Sequence, residues 1–388
     1  MIKVALFYKN LNRIGGAERL VIQEAVYLSR YLGYSVPIIC YSASNIVKEY
    51  FSDSNVKLVL FGNIFKRLML SLYLRRNNYN HILSSSGHFD CFVVSILSGI
   101  KYSLHVHHPL MMSPTDTVKY AFRFRHYYRK ALLLSHEQKF LEETRLRLTV
   151  LNHILINVRS TFYSHILERA SNIFVLSETS KSEKVEMLGL NRVTACAGAF
   201  SEADIDIRKQ IKSYSRNHVN VLCVGRLVWD KRFDIVIESC RMASNKSGIQ
   251  FKLDIVGDGP HRQYLESRLG PNMIVHGSLP DTKMISLWKN CDIFCTPDWA
   301  DFKITMFESL SKGIHTIVTY ETDVLASLEA SGYLHFCNPD VNSLAQSLVD
   351  ILTGSRKKNP ELLRKCLDGY TWETYFKQIL SVISKSHA

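Results

Sequence analysis

Two cations, Arg226 and Lys231, stand just beyond the apolar run Val219–Val224, with Gly225 at the turn between strand and cations. A guanidinium and an ammonium placed there can jointly neutralise a diphosphate. The run Asp254-Ile-Val-Gly257-Asp258-Gly259-Pro260 reads as a strand ending in a tight turn, where missing side chains let a flat ring lie against the backbone. Val275-His-Gly277-Ser-Leu279-Pro repeats the pattern one strand later. Near the N-terminus, Asn12-Arg-Ile-Gly15-Gly16-Ala-Glu-Arg19 follows an apolar run and opens a helical pattern, a place that favours an anion, although a plain tight turn would have the same sequence. It lacks the full glycine fingerprint of dinucleotide sites, so no NAD is expected. Asp204-Ile-Asp206 has the spacing of a metal-binding pair but falls in a polar stretch that reads as a linker. Cys291 and Cys295 have no further His or Cys nearby, so no metal is expected.

The elements that would position these residues alternate. In the first half, strand-like runs at 3–8, 35–40, 57–61, 81–84, 102–105 and 172–176 are interleaved with helical patterns, the first at 17–32. Residues 115–167 read as mostly helical and less regular, and Ser177-Glu-Thr-Ser-Lys181 as a loop with helix-starting residues. After the polar stretch 201–217, a second series runs through strands at 219–224, 251–256, 273–276, 293–296 and 316–319, with helices beginning near Phe233, His261, Thr282, Thr305 and Val341. Alternation of this kind predicts parallel sheets flanked by helices, with ligands at the carboxyl ends of the strands. The expected domains are 1–200 and 201–371, with 372–388 forming a last helix.

At 388 residues the chain exceeds one ordinary core, and 46% apolar with 21% charged residues is a globular balance. The opening Met-Ile-Lys-Val-Ala-Leu-Phe-Tyr reads as a first strand rather than a signal peptide, and apolar runs such as Cys91–Leu97 are too short to span a bilayer. Nine scattered cysteines fit buried thiols in a reducing cytoplasm. The net charge of +13 is uneven: residues 1–200 hold 25 Lys and Arg against 13 Asp and Glu, while residues 201–388 hold 23 against 22. Two basic stretches of the first half, Phe65–Arg76 and Lys119–Lys130, interleave cations with apolar and aromatic residues. They suit an anionic membrane surface, with solvated helix faces as the plainer alternative; nucleic acid is the rival partner and is not the one expected.

Taken in order, Gly-Gly-Ala-Glu-Arg at 15–19, Gly-Arg-Leu at 225–227 with Lys231, Val-Gly-Asp-Gly-Pro at 256–260, His-Gly-Ser-Leu-Pro at 276–280, Cys-Asp-Ile-Phe at 291–294 and Phe-Glu-Ser-Leu-Ser-Lys-Gly at 307–313 resemble the family-4 retaining glycosyltransferases. The likeness covers nearly the whole chain and leans toward lipid-linked mannosyltransferases. It implies the α/β GT-B architecture: two Rossmann-like doubly wound domains facing a cleft, with the helices after Trp372 crossing back to the first domain. It further implies that Arg226 and Lys231 hold the donor diphosphate, that Gly15 and Gly16 approach it from the opposite domain, and that Glu308 hydrogen-bonds the ribose. His107, within His105-Val-His107-His108-Pro109, would face the transferred sugar. Gly225, Gly257, Gly259, Gly277 and Leu279 would line the donor.

One departure stands out. Where the family carries a first glutamate and Gly-Phe-Gly, this chain has Ala300 and Asp301-Phe302-Lys303. Asp301 is then the candidate for a sugar hydroxyl, and Phe302 and Lys303 are placed among the donor-binding residues. The implied activity is metal-free hexosyl transfer from a nucleotide-sugar to a lipid-linked glycan, at the inner face of a membrane. The alternative is a glycosyltransferase-like scaffold that has lost catalysis.

Overall fold

The computed structural model describes residues 2–12, 16–45, 47–48, 56–62, 65–106, 162–200, 218–298, 302–320, 322, 326–354 and 357–387. The described residues fall into two compact units: one of residues 2–106, 162–199 and 372–387, the other of residues 200–371.

The first unit is built on β1 (Val4–Phe7), β3 (Ile38–Cys40), β5 (Leu58–Leu60), β6 (His81–Ser84), β7 (Lys101–His105), β8 (Asn172–Val175) and β9 (Val193–Ala195), in the order β5-β3-β1-β6-β7-β8-β9. All neighbours pair in parallel. A small parallel pair, β2 (Asn10–Leu11) with β4 (Ser42–Ala43), extends past the ends of β1 and β3. Strands β1, β6 and β8 are buried at every position, as strands covered by helices on both faces must be. The helix Trp372–Lys385 belongs to this unit. Its stripe Tyr375, Phe376, Ile379 and Ile383 packs with Val4, Leu6 and Leu28 in one core.

The second unit is a six-stranded parallel sheet: β10 (His218–Val224), β11 (Gln250–Val256), β12 (Met273–Gly277), β13 (Ile293–Thr296), β14 (His315–Thr319) and β15 (Leu334–Cys337), ordered β12-β11-β10-β13-β14-β15. The chain lays down β10, β11 and β12 toward one edge. It then returns to pair β13 beside β10 and continues outward, so the strand order reverses between β10 and β13. One face packs through Val219, Val221, Leu253, Ile255, Val236 and Leu348; on the other, Leu222, Val256, Trp288 and Phe294 form a smaller cluster.

Local signals explain many helix ends. Ser177 caps Glu178–Leu188 by accepting the Ser180 N–H at 3.0 Å. Asp340 caps Val341–Leu352 through the Ser343 N–H at 2.8 Å, and Asn359 with Pro360 opens Pro360–Leu367. The strands expected at 81–84 and 293–296 have those bounds, and the others shift by one to three residues at an end. The alternation did not announce β9, β15, or the helices Ala326–Ala330 and Pro360–Leu367. The basic stretch 119–130 and the linker 201–217 lie outside the described residues. Among those described, no helix is long and apolar enough to cross a membrane, and all nine cysteines are buried and unpaired.

Candidate functional site

In an open parallel sheet the crevice for a ligand opens at the carboxyl ends of the strands, where the strand order reverses. In the second unit that point lies between the ends of β10 and β13. After Val224 the chain passes through Gly225, Arg226 and Leu227 into a short 3₁₀ turn, Trp229–Lys231, and Arg232 then starts the helix Phe233–Ser247 with a left-handed φ of 54°. After Thr296 the chain passes through Pro297 to Asp298. Arg232 ties the two loops together: it is buried, and its Nη1 donates to the Pro297 carbonyl at 3.1 Å.

Three loops are stitched edge to edge here. The Gly225 N–H donates to the Val256 carbonyl at 3.0 Å, the Leu227 N–H to the Asp258 carbonyl at 3.0 Å, and the Gly257 N–H to the Gly277 carbonyl at 2.9 Å. The approach is so close that only glycine fits. A Cβ on Gly257, whose φ is 142°, would lie 1.8 Å from the Gly225 carbonyl oxygen, and one on Gly259 would lie 2.3 Å from that of Leu227. The Lys231 stem runs over Gly225, with Cδ and Cε each 3.7 Å from where a Cβ would stand. Leu279 is half-buried against the Leu222 and Phe294 cluster.

Asp298 is the centre of the charge arrangement. Its carboxylate, 2% exposed, pairs through Oδ2 with the Lys231 ammonium and through Oδ1 with the Lys303 ammonium at 3.2 Å, and Oδ1 also accepts the Thr296 hydroxyl at 2.5 Å. Burial by itself raises the Asp298 pKa. The charges of Lys303 and Lys231, with the hydrogen bonds from Lys231 and Thr296, outweigh it and hold the carboxyl well below the usual range. The two lysines are not equivalent: the Lys231 side chain is 26% exposed and that of Lys303 is 3%. Lys303 also donates to the carbonyls of Thr296 at 2.9 Å and Asp298 at 2.6 Å, so its ammonium points into the loop. Arg226 is exposed, and among the described residues its guanidinium has no hydrogen-bond or ion-pair partner.

The expected residues are distributed as follows. Gly225, Arg226, Lys231, Gly257, Gly259 and Gly277 gather around the ends of β10, β11 and β12. Phe302 is half-buried and stacks on Phe307 with ring centres 4.7 Å apart. Glu308 lies one turn inside the helix Ile304–Ser311 rather than at its start, half-buried. Gly16 is the exposed first residue of the helix Gly16–Leu32 in the first unit. Gly15, His107 and Asp301 lie outside the described residues. Of the three clustered histidines, His105 is a core residue: its Nε2 lies 2.7 Å from Glu24 Oε1, and both side chains are at most 2% exposed. Asp298 is the residue that motif reading passed over. Its signal was a carboxylate two residues after the fully buried strand β13.

A cavity of about 300 Å³ lies elsewhere, toward the amino ends of the strands, lined by His218, Asn220, Asp254, Asn290 and Cys291. No group of three or more potential metal ligands occurs among the described residues.

Residues 205–365 match the family described as Glycosyl transferases group 1. No curated protein sequence matches the chain. Solved structures do match over nearly its whole length. A glycosyltransferase from Rickettsia africae is similar with a TM-score of 0.71 at 13% identity, covering 99% of this chain and 98% of that one. HepE of Anabaena, in complex with UDP and glucose, gives 0.71 at 14%, covering 99% and 100%. The lipopolysaccharide outer core galactosyltransferase WaaB gives 0.66 at 13%, covering 99% of each. The chain therefore has the GT-B fold of glycosyltransferases, and its second unit carries the likeness to Glycosyl transferases group 1.

Proposed function

We propose that the chain is a retaining glycosyltransferase that moves a hexose from a nucleotide-sugar to a lipid-linked glycan in surface-polysaccharide assembly. One observation carries the reading. At the strand-order reversal of the group 1 unit, Arg226 and Lys231 stand beside a crest of backbone that only glycines can form. The chemistry asks for this arrangement. Breaking the anomeric bond leaves negative charge on the departing diphosphate, and fixed cations at that point stabilise the transition state more than the bound donor. Arg226 and Lys231 take the part a metal ion plays elsewhere, and the phosphate oxygen itself accepts the proton of the acceptor hydroxyl. In this reading Glu308 binds the ribose, Asp301 a hydroxyl of the donor sugar, His107 the transferred hexose, and Gly15 and Gly16 the diphosphate.

GDP-mannose is the donor first expected from the sequence likeness. A UDP-hexose stands beside it, since the similar HepE was solved with UDP and glucose. The lipid-linked acceptor draws support from the first unit. On the helix Lys66–Arg76, Leu68, Met69 and Leu72 are exposed together with Arg75 and Arg76, Phe65 just before it is 67% exposed, and no acidic residue lies on it. Such a surface fits the headgroup layer of an anionic membrane, at the cytoplasmic side.

A second reading, a glycosyltransferase-like scaffold without turnover, is favoured by Ala300 and by the buried Lys303 in place of a glycine. One experiment separates the two: thermal shift and slow donor hydrolysis across GDP-, UDP- and ADP-sugars, with Lys231→Ala alongside. The enzyme reading expects one donor to raise the midpoint and to be hydrolysed, with turnover collapsing in the variant. A protein stabilised by none of the donors and hydrolysing none is the scaffold.

A further inference from the structure

Asp298, Lys231 and Lys303 form a cluster of one carboxylate and two ammonium groups, and the surroundings of the two lysines differ. Lys303 is sealed into the loop by two carbonyls as well as the carboxylate, whereas Lys231 reaches the carboxylate from the partly exposed rim, its stem lying over Gly225. The cluster's net charge is one positive. With Lys231 and Asp298 alone it would be zero, and drawing Lys231 toward a phosphate would strand a buried carboxylate.

We propose that Lys303 is a positioning residue: by keeping Asp298 paired, it lets Lys231 leave that carboxylate for the diphosphate of a nucleotide donor. The inference rests on the donor-site reading above and changes the part given to Lys303. Its ammonium acts through Asp298 and does not touch the donor. The position explains why a lysine is tolerated where the resembling family has glycine. The side chain fills the interior behind the loop, so the crest at Gly225 and Gly257 stays uncovered.

Labelling with acetic anhydride, read at Lys231 by mass spectrometry, tests this without any ligand. Lys303→Met is expected to slow Lys231 labelling about ten-fold, because the carboxylate then has one ammonium to hold. Lys303→Arg keeps the charge and restores the wild-type rate. The double variant Asp298→Asn with Lys303→Met restores it as well. Titration with UDP and GDP should follow the same pattern: about ten-fold weaker in Lys303→Met and recovered in the other two, with uridine and guanosine unaffected. Should Lys303→Met fail to fold, Asp298→Asn alone decides, and it is expected to speed Lys231 labelling. Labelling unchanged in every variant that folds overturns the proposal. So does diphosphate affinity that stays lost in the double variant, which would mean that Lys303 contacts the phosphates itself. A wild-type protein that binds neither UDP nor GDP defeats the donor-site reading, while the labelling still shows whether Lys303 controls Lys231.

Discussion

Each of the two large sheets reverses its strand order once, between β1 and β6 in the first unit and between β10 and β13 in the second, and beside each reversal lies a buried aspartate flanked by two cations. In the first unit Asp90 is 1% exposed; Arg67 Nε lies 2.6 Å from its Oδ1 and Lys9 Nζ 3.8 Å from its Oδ2, with those cations 38% and 48% exposed. In the second, Asp298 is as deeply buried, but one of its cations is sealed and only the other reaches the rim. Similar inventories thus produce different devices. Both of Asp90's partners are partly exposed to water, so neither cation is sealed beside the carboxylate. Asp298 keeps its charge because Lys303 is fixed beside it, and Lys231 is the member with somewhere to go. The backbone differs too. Ser84, whose hydroxyl donates to the carbonyls of Phe7 at 3.0 Å and Ser86 at 2.7 Å, links the first reversal through a side chain, where the second unit uses glycines packed backbone to backbone.

The contrast can be broken experimentally, beginning where the effect is largest. Gly257→Ala must push a methyl group into the Gly225 carbonyl at a left-handed φ, and should destabilise the second unit by about 4 kcal/mol or more in denaturant unfolding. Lys231→Ala should lower turnover about a hundred-fold or more with the melting temperature little changed, because Lys303 still pairs Asp298 and the interaction lost at the donor is one made in the transition state. Arg67→Ala at the other reversal should leave donor hydrolysis intact, and equal losses from the two would erase the distinction drawn here.

Neutralising the aspartates sharpens the comparison. Asp298→Asn removes the counter-charge of the buried Lys303 ammonium, leaving it its carbonyl acceptors, and should cost about 3 kcal/mol of stability, against about 1 kcal/mol or less for Asp90→Asn, whose cations already face water. The two units should respond alike to acid. Burial first, then His387 and Lys101, lowers the His81 pKa to about 3; burial first, then Lys358 and His335, lowers that of His315 to about 2. Both histidines stay neutral in the folded protein while the unfolded chain takes up protons below its ordinary pKa of about 6.5. Stability is therefore fully present above that pH and falls as pH drops toward 3, by about 2 kcal/mol per histidine at pH 5. Urea unfolding at pH 7 and pH 5, with His81→Gln as the less sensitive variant, measures it. The smallest effect belongs to the exposed helix of the first unit: Arg75→Glu with Arg76→Glu should weaken binding to anionic vesicles about ten-fold or more.

The amino-acid sequence by itself was enough for the two alternating series, because parallel strands buried on both faces must be continuous apolar runs and their connections must be helices. It also marked the glycines and cations after β10, β11 and β12, which are local in the chain. It was silent on β15, whose Leu-His-Phe-Cys carries a histidine in a four-residue strand, and on the short helices beside it. Asp298 was overlooked for a related reason. Nothing local distinguishes a carboxylate after a strand, and Lys231, which gives it meaning, comes from 67 residues earlier in the chain. Lys303 changed character for the same cause. A lysine in place of a glycine read as a donor-binding residue, until folding buried it behind its loop. Residue type and short spacing determine what a side chain is able to do, because propensity and periodicity act over a few residues. Whether its charge is sealed, shared or offered depends on partners that only the packed sheet brings within hydrogen-bonding distance.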